Sequence, residues 1–144
     1  MKMLFDTNVL IDAICERNNN YKSSQELIYK VVNKEIDGYI SAKQITDIYY
    51  ILRKYCGEAE RRKIIKTISN TFEILPLLPS FTNYCLNSKI NDYEDAILDE
   101  QAKVNMISVI VTNNTKDFSD SKTLVLRPED ACIFNPIYER ESRV

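Results

Sequence analysis

Carboxylates dominate the residues of this sequence that could do chemistry. Asp6 follows a short apolar run, Asp47 lies several residues into an apolar helical pattern, and Asp92, Asp95 and Asp99 repeat at i, i+3 and i+7. Asn113, Asn114 and Asp117 follow the apolar stretch SVIVT. There is no histidine among the 144 residues, which excludes Ser-His-Asp and Cys-His nucleophiles, HExxH zinc sites and histidine-pair nucleases. Only two glycines occur, Gly38 and Gly57, so neither a Walker A loop nor a GxGxxG fingerprint exists, and no nucleotide cofactor is expected. Like charges brought together raise one another's pKa, and a hard cation relieves them. Mg²⁺ takes oxygen ligands, through one or two carboxylates plus water and substrate phosphate. Such a centre activates water and polarises a phosphodiester without imidazole.

Each carboxylate also has a plainer explanation. Asp6, Asp92 and Asp95 stand where helix caps and the macrodipole favour acids. Asp117 suits a turn. Asp47 is harder to explain as a cap, because it falls inside the periodic pattern.

The elements that would gather these residues alternate. KMLFD, GYISA, FEILPLL, SVIVT and KTLVLR read as strands. Between them, TNVLIDAICER, YKSSQELIYKVVNKEI, KQITDIYYILRKYC, GEAERRKIIKTISN, FTNYCLNSK and YEDAILDEQAKVN read as helices, and PEDACIF as a last short one. Thr7 is expected to cap the first helix, Gly38 to stop the second and Gly57 to close the third. SVIVT, apolar throughout, requires cover on both faces and therefore a central parallel position. The pattern gives an α/β protein, a three-layer α/β/α sandwich on a mainly parallel sheet. Ligand sites in such sheets lie at the carboxyl ends of strands, near a topological switch point.

Length bounds the organisation to one domain, 1–144, that buries roughly 68–70% of its unfolded surface. A strand and short helix fall within 122–134, and 135–144 is a polar tail. The net charge of −2 argues against holding nucleic acid by bulk charge, though not against a local basic patch. Cys15, Cys56, Cys85 and Cys132 have no metal-binding spacing and read as reduced, mostly buried residues. No apolar run approaches the ~20 residues of a membrane span, since Asp6 and Asp12 interrupt the N-terminal one; the expectation is a cytoplasmic protein.

Four segments together resemble the PIN domain family of metal-dependent ribonucleases. LFDTNVLIDAI is similar to its first motif, ISAKQITDIYYILRK to its second, DYEDAILDEQAKVN to its third and VIVTNNTKDF to its fourth. They occur in family order between residue 3 and about 118. The VapC-type toxins of bacterial toxin–antitoxin pairs are similar short members. The resemblance implies an Mg²⁺ (or Mn²⁺) centre with catalytic carboxylates at Asp6, Asp47 and Asp95. Asp92, Asn114 and Asp117 are further metal candidates, with Asn8 and Thr112 orienting them and Asn113 beside the fourth position. Asp47 stands where the family usually carries Glu, and Asn114 where it often carries Asp.

The implied activity is RNA hydrolysis; the implied company is RNA, a small antitoxin and a second copy of the chain. Arg53, Lys54, Arg61, Arg62, Lys63 and Lys66, with Tyr49, Tyr50 and Tyr55 among them, form the densest basic and aromatic stretch and are the candidate RNA contacts. Two other readings compete. A non-catalytic PIN-fold binding module would retain the fold around a weakened metal site. A haloacid-dehalogenase-like phosphatase also begins with a strand-end Asp but needs a second Asp two residues on, where this chain has Asn8.

Overall fold

The computed structural model describes residues 1–134; the tail 135–144 lies outside the described residues. Five strands form one sheet: β1 (Lys2–Phe5), β2 (Asp37–Ser41), β3 (Glu73–Leu75), β4 (Val109–Val111) and β5 (Leu124–Leu126). Their order is β3-β2-β1-β4-β5, and every pairing is parallel. The helices are α1 (Thr7–Cys15), α2 (Tyr21–Val32), α3 (Ala42–Leu52), α4 (Glu58–Thr71), α5 (Pro79–Tyr84), α6 (Tyr93–Val104) and α7 (Pro128–Ile133).

Alternation along β1 and β4 divides the core in two. Met3, Phe5, Val109 and Val111 pack with Leu10, Leu27, Ile48 and Ile68 from α1 to α4. Leu4 and Ile110 point the other way, into Leu98 and Ala102 of α6 and Phe118. Successive strand side chains face opposite sides, so a strand buried on both is apolar at each position. This is the three-layer sandwich expected from the sequence, with a sheet that is parallel throughout rather than mainly so.

Several local expectations are corrected. Asp6, not Thr7, caps α1, because its carboxylate accepts the Thr7 N–H at 2.8 Å from an extended backbone. The second helix ends at Val32, four residues early, and the chain leaves it through Lys34 at φ 62°. Gly38 therefore does not stop a helix. It sits inside β2, where a Cβ would come within 2.6 Å of Val31 and 2.8 Å of Phe72. Close approach of α2 and Phe72 to the strand demands the glycine. Gly57 opens α4 as its N-cap instead of closing α3. Pro76 confines β3 to three residues, and of the four free cysteines only Cys85 is buried.

The chain runs from β1 outward to β2 and β3, then returns to β4 on the other side of β1. Beyond the carboxyl ends of β1 and β4, the connections therefore diverge and leave a crevice. Phe5 and Val111 are register partners at its floor, and the Asp6 N–H donates to the Val111 carbonyl at 2.9 Å.

Candidate active site

Above that floor opens a cleft of about 380 Å³ lined by Asp6, Asp47, Asp92, Glu94, Asp95 and Asp117, together with Asn8, Tyr50 and Asn114. Six carboxylates from four chain segments meet there. Asp6 reaches it from the end of β1. One oxygen caps α1, and the other accepts the Thr112 hydroxyl at 2.8 Å. Burial pushes the Asp6 carboxyl above its ordinary pKa, the Thr112 and Thr7 bonds oppose this, and Asp117 and Asp92 add repulsion.

Asp92 is the N-cap of α6, with an oxygen 3.0 Å from the Asp95 N–H. It is thus a structural cap that also faces the cleft. Asp95 stands one turn inside. Burial, then the charges of Asp6, Asp92, Asp117 and Glu94, raise its carboxyl to about 7. Asp6, Asp92 and Asp117 thus gather negative charge around Asp95.

Asp47 belongs to another wall. Lys43, the second residue of α3, places its ammonium 2.6 Å from the Asp47 carboxylate and 3.2 Å from that of Glu94. Burial works against the charged lysine, but the bonds to Asp47 and Glu94 outweigh it and hold its pKa above the usual value. A capping box seats this helix start: Gln44 accepts the Ser41 N–H at 2.7 Å while its amide donates to the Phe5 carbonyl at 2.8 Å. The start of α3 is thereby fastened to the end of β1.

A second framework positions the loop after β4. Asp12 is fully buried on α1 and accepts from Arg17 Nε at 2.8 Å, Asn18 Nδ2 at 2.9 Å and Asn113 Nδ2 at 2.7 Å. Thr112, next to Asn113, bonds Asp6 and also accepts the Asn114 N–H at 3.1 Å. Asn114 and Asp117 then project toward solvent at the cleft edge.

Residues 2–116 match the PIN domain family. The chain belongs to that family. Ribonuclease VapC1 of Aquifex aeolicus is 28% identical over 136 residues, which span 91% of this chain and 93% of that protein. A toxin–antitoxin complex from Klebsiella pneumoniae contains a chain of the same fold, at TM-score 0.66 and 22% identity, covering 88% of this chain and 97% of that one. VapC20 of Mycobacterium tuberculosis, a toxin that cleaves the sarcin–ricin loop, superimposes at TM-score 0.67 with 12% identity over 88% of this chain and 99% of its own.

Within this PIN domain the residues singled out from sequence divide. The cleft collects Asp6, Asp47, Asp92, Asp95, Asn114 and Asp117. Asp99, on the continuing face of α6, instead accepts a hydrogen bond from the Ser121 hydroxyl. Asn8 lines the cleft, but its recorded partner is Arg17 at 3.3 Å, not Asp6; Thr112 is the residue that bonds Asp6.

The basic stretch is dispersed. Arg53 stacks on the Tyr50 ring at 3.8 Å, at the mouth of the cleft. Arg61 covers Tyr49, Arg62 pairs with Glu58 at 2.9 Å, and Lys63 borders an apolar groove between α1, α2 and α4. Lys54 is exposed.

Sequence reasoning missed Lys43, Glu94 and the buried Asp12. The i,i+4 spacing of Lys43 and Asp47 carries the first signal. Glu94 lies between two acids already chosen, and Asp12 is an acid inside an apolar run.

The donor set of the cleft is entirely oxygen and suits a hard cation. Among the described residues, no group of three acidic or cysteine side chains holds an ion by itself. Mg²⁺ does not require one, because water and substrate phosphate complete its octahedron around one or two carboxylates. Asp6 and Asp95, which both line the cleft, fit that requirement.

Proposed function

We propose that this PIN domain is an Mg²⁺- or Mn²⁺-dependent ribonuclease that hydrolyses RNA phosphodiesters. The observation that carries the reading is the cluster of acids at the switch point, where burial and then the charges of Asp6, Asp92 and Asp117 raise Asp95 to about 7. A folded protein keeps such repulsion where a cation is to be received.

Asp6 and Asp95 are the direct ligands in this reading, with Asp92, Asn114 and Asp117 acting through water. Thr112 holds one Asp6 oxygen and the α1 amide end holds the other, so Asp6 keeps a fixed orientation. A bound divalent ion supplies charge for the phosphate and an acidified water for attack. Tyr50 offers a face for a base and Arg53 a charge for the adjoining phosphate, as single-stranded recognition commonly uses.

The similarity to VapC1 and to toxin–antitoxin structures supports a role as the toxin of such a pair. The apolar groove of Leu10, Ile14, Ile28, Ile64, Ile68 and Phe72 suits a small antitoxin partner. A homodimer belongs to the same reading. Leu78, Tyr84, Leu86 and Tyr93 near α5 expose 45%, 62%, 66% and 40% of their surface.

Cleavage of a mixed single-stranded RNA in Mn²⁺, with and without chelator, is the test. Wild type is expected to cut and to lose activity on chelation, and Asp6→Asn to be inactive while folded. Wild-type cleavage by Asp6→Asn, or cleavage that survives chelation, sinks the site assignment. RNA bound but not cut by wild type favours the non-catalytic reading, for which Asn114 and the ion-paired Asp47 are the specific support.

A further inference from the structure

Among the described residues, Lys43 is the one basic side chain that lines the cleft or the small cavity that shares Asp6, Asp47, Glu94 and Asp95 with it. Nothing in the helix itself favours it there. A lysine in the first turn faces the positive end of the helix macrodipole, and Lys N-terminal to an acid is the weaker i,i+4 orientation. Its ammonium nevertheless reaches both Asp47 on α3 and Glu94 in the first turn of α6, at 2.6 and 3.2 Å, with 27% of the side chain exposed. A cation held between carboxylates from two helices is the arrangement that a bound ion would otherwise create.

We propose that the Lys43 ammonium permanently occupies a second cation position, between Asp47 and Glu94, so that the cleft accepts a single divalent ion on the side of Asp6 and Asp95. Two observations converge on this. Lys43 pairs with both Asp47 and Glu94, whereas Asp6, Asp92, Asp95 and Asp117, which line the same cleft, have no ion-pair partner among the described residues. Asp47 is also shorter by a methylene than Glu, so its carboxylate stays close to α3, within reach of a lysine one turn earlier. The consequence for chemistry is that one wall of the cleft is neutralised at no cost in metal, and the charge that meets the scissile phosphate there is an ammonium.

The inference rests on the metal-dependent reading above, and metal counting separates the two. In calorimetric titration of the metal-free protein with MnCl₂ at pH 8, wild type is expected to bind one Mn²⁺ per chain. Lys43→Met, which keeps the stem but frees both carboxylates, is expected to bind two. Lys43→Arg is expected to bind one, and Lys43→Met combined with Asp47→Asn and Glu94→Gln to return to one. Two ions in wild type, or a single ion of the same affinity in wild type and Lys43→Met, overturns the proposal and leaves the nuclease reading standing. No binding by any of the proteins overturns both. A lysine with only a structural role would leave the ion count unmoved.

Discussion

The carboxyl of Asp95 is the residue on which pH acts most directly. Its pKa rises from 3.8 unfolded to about 7 folded, through burial and then the neighbouring acids. The native state thus holds a proton more tightly than the unfolded chain. Stability from this group is full below about pH 4 and is lost as pH rises through 7. Asp6, raised mainly by burial, acts with the same sign. The metal-free protein is therefore expected to melt at a higher temperature at pH 5.5 than at pH 8, and Asp95→Asn to flatten that slope while raising the melting temperature at pH 8. Thermal melts in chelator across this range check it; a wild-type melting temperature that rises with pH would contradict the shift.

Asn114 yields a second expectation at this scale. Its carboxamide offers a neutral oxygen at the cleft edge, so Asn114→Asp adds charge facing the same centre. Mn²⁺ affinity is expected to increase at least several-fold while the count stays at one ion. Unchanged or weaker affinity would move the fourth-position role to Asp117.

Elements matter through two joints that hold the acidic residues in place. One ties α1 to the loop after β4 through Asp12, whose buried carboxylate satisfies Arg17, Asn18 and Asn113. Arg17 is about a third exposed, so the loss falls mainly on the hydrogen bonds that Asp12 accepts. Asp12→Ala is expected to lose about 1–3 kcal/mol in urea unfolding, and Asn113→Ala less. A neutral effect of Asp12→Ala would mean that the network does not organise this loop.

The other joint is the contact of α2 and Phe72 with β2. Gly38→Ala places a methyl 2.6 Å from Val31, and overpacking of this kind commonly costs about 1–3 kcal/mol. These joints also show where the sequence was opaque. The Val109–Val111 run declared its burial through unbroken apolarity, and the acids at strand ends declared the crevice. Gly38 misled because a glycine required by close packing has the same letter as one required by a left-handed turn. Asn8 misled because its side-chain oxygen accepts from Arg17, a partner nine residues away that the residues around Asp6 do not reveal.

Over the whole molecule, charge and apolar surface are segregated. The carboxylate cleft occupies the carboxyl end of the sheet, whereas the groove between α1, α2 and α4 is lined mainly by Leu10, Ile14, Ile28, Ile64, Ile68 and Phe72. No helix among the described residues is long and apolar enough to cross a membrane, so a bilayer-spanning helix does not account for the apolar side chains left outside. A chain of 16.8 kDa has a high ratio of surface to volume and covers such side chains most readily with another protein. If Leu78, Tyr84, Leu86 and Tyr93 meet a second copy, light scattering at micromolar concentration gives about twice the chain mass. Tyr84→Glu together with Leu86→Glu, on residues 62% and 66% exposed, then yields a folded monomer. Placing charge on an exposed face has little effect on the fold itself, so loss of the dimer with an unchanged melting temperature identifies the surface. Wild type that scatters as a monomer would contradict the dimer, and a dimer that survives both substitutions would place its interface elsewhere. The groove side is tested in cells. Induction of wild type is expected to arrest growth, Asp6→Asn to be harmless, and a peptide helix that fills the groove to relieve the arrest. Ile64→Asp, which sets a charge in the groove far from the carboxylates, should abolish that relief while the arrest persists.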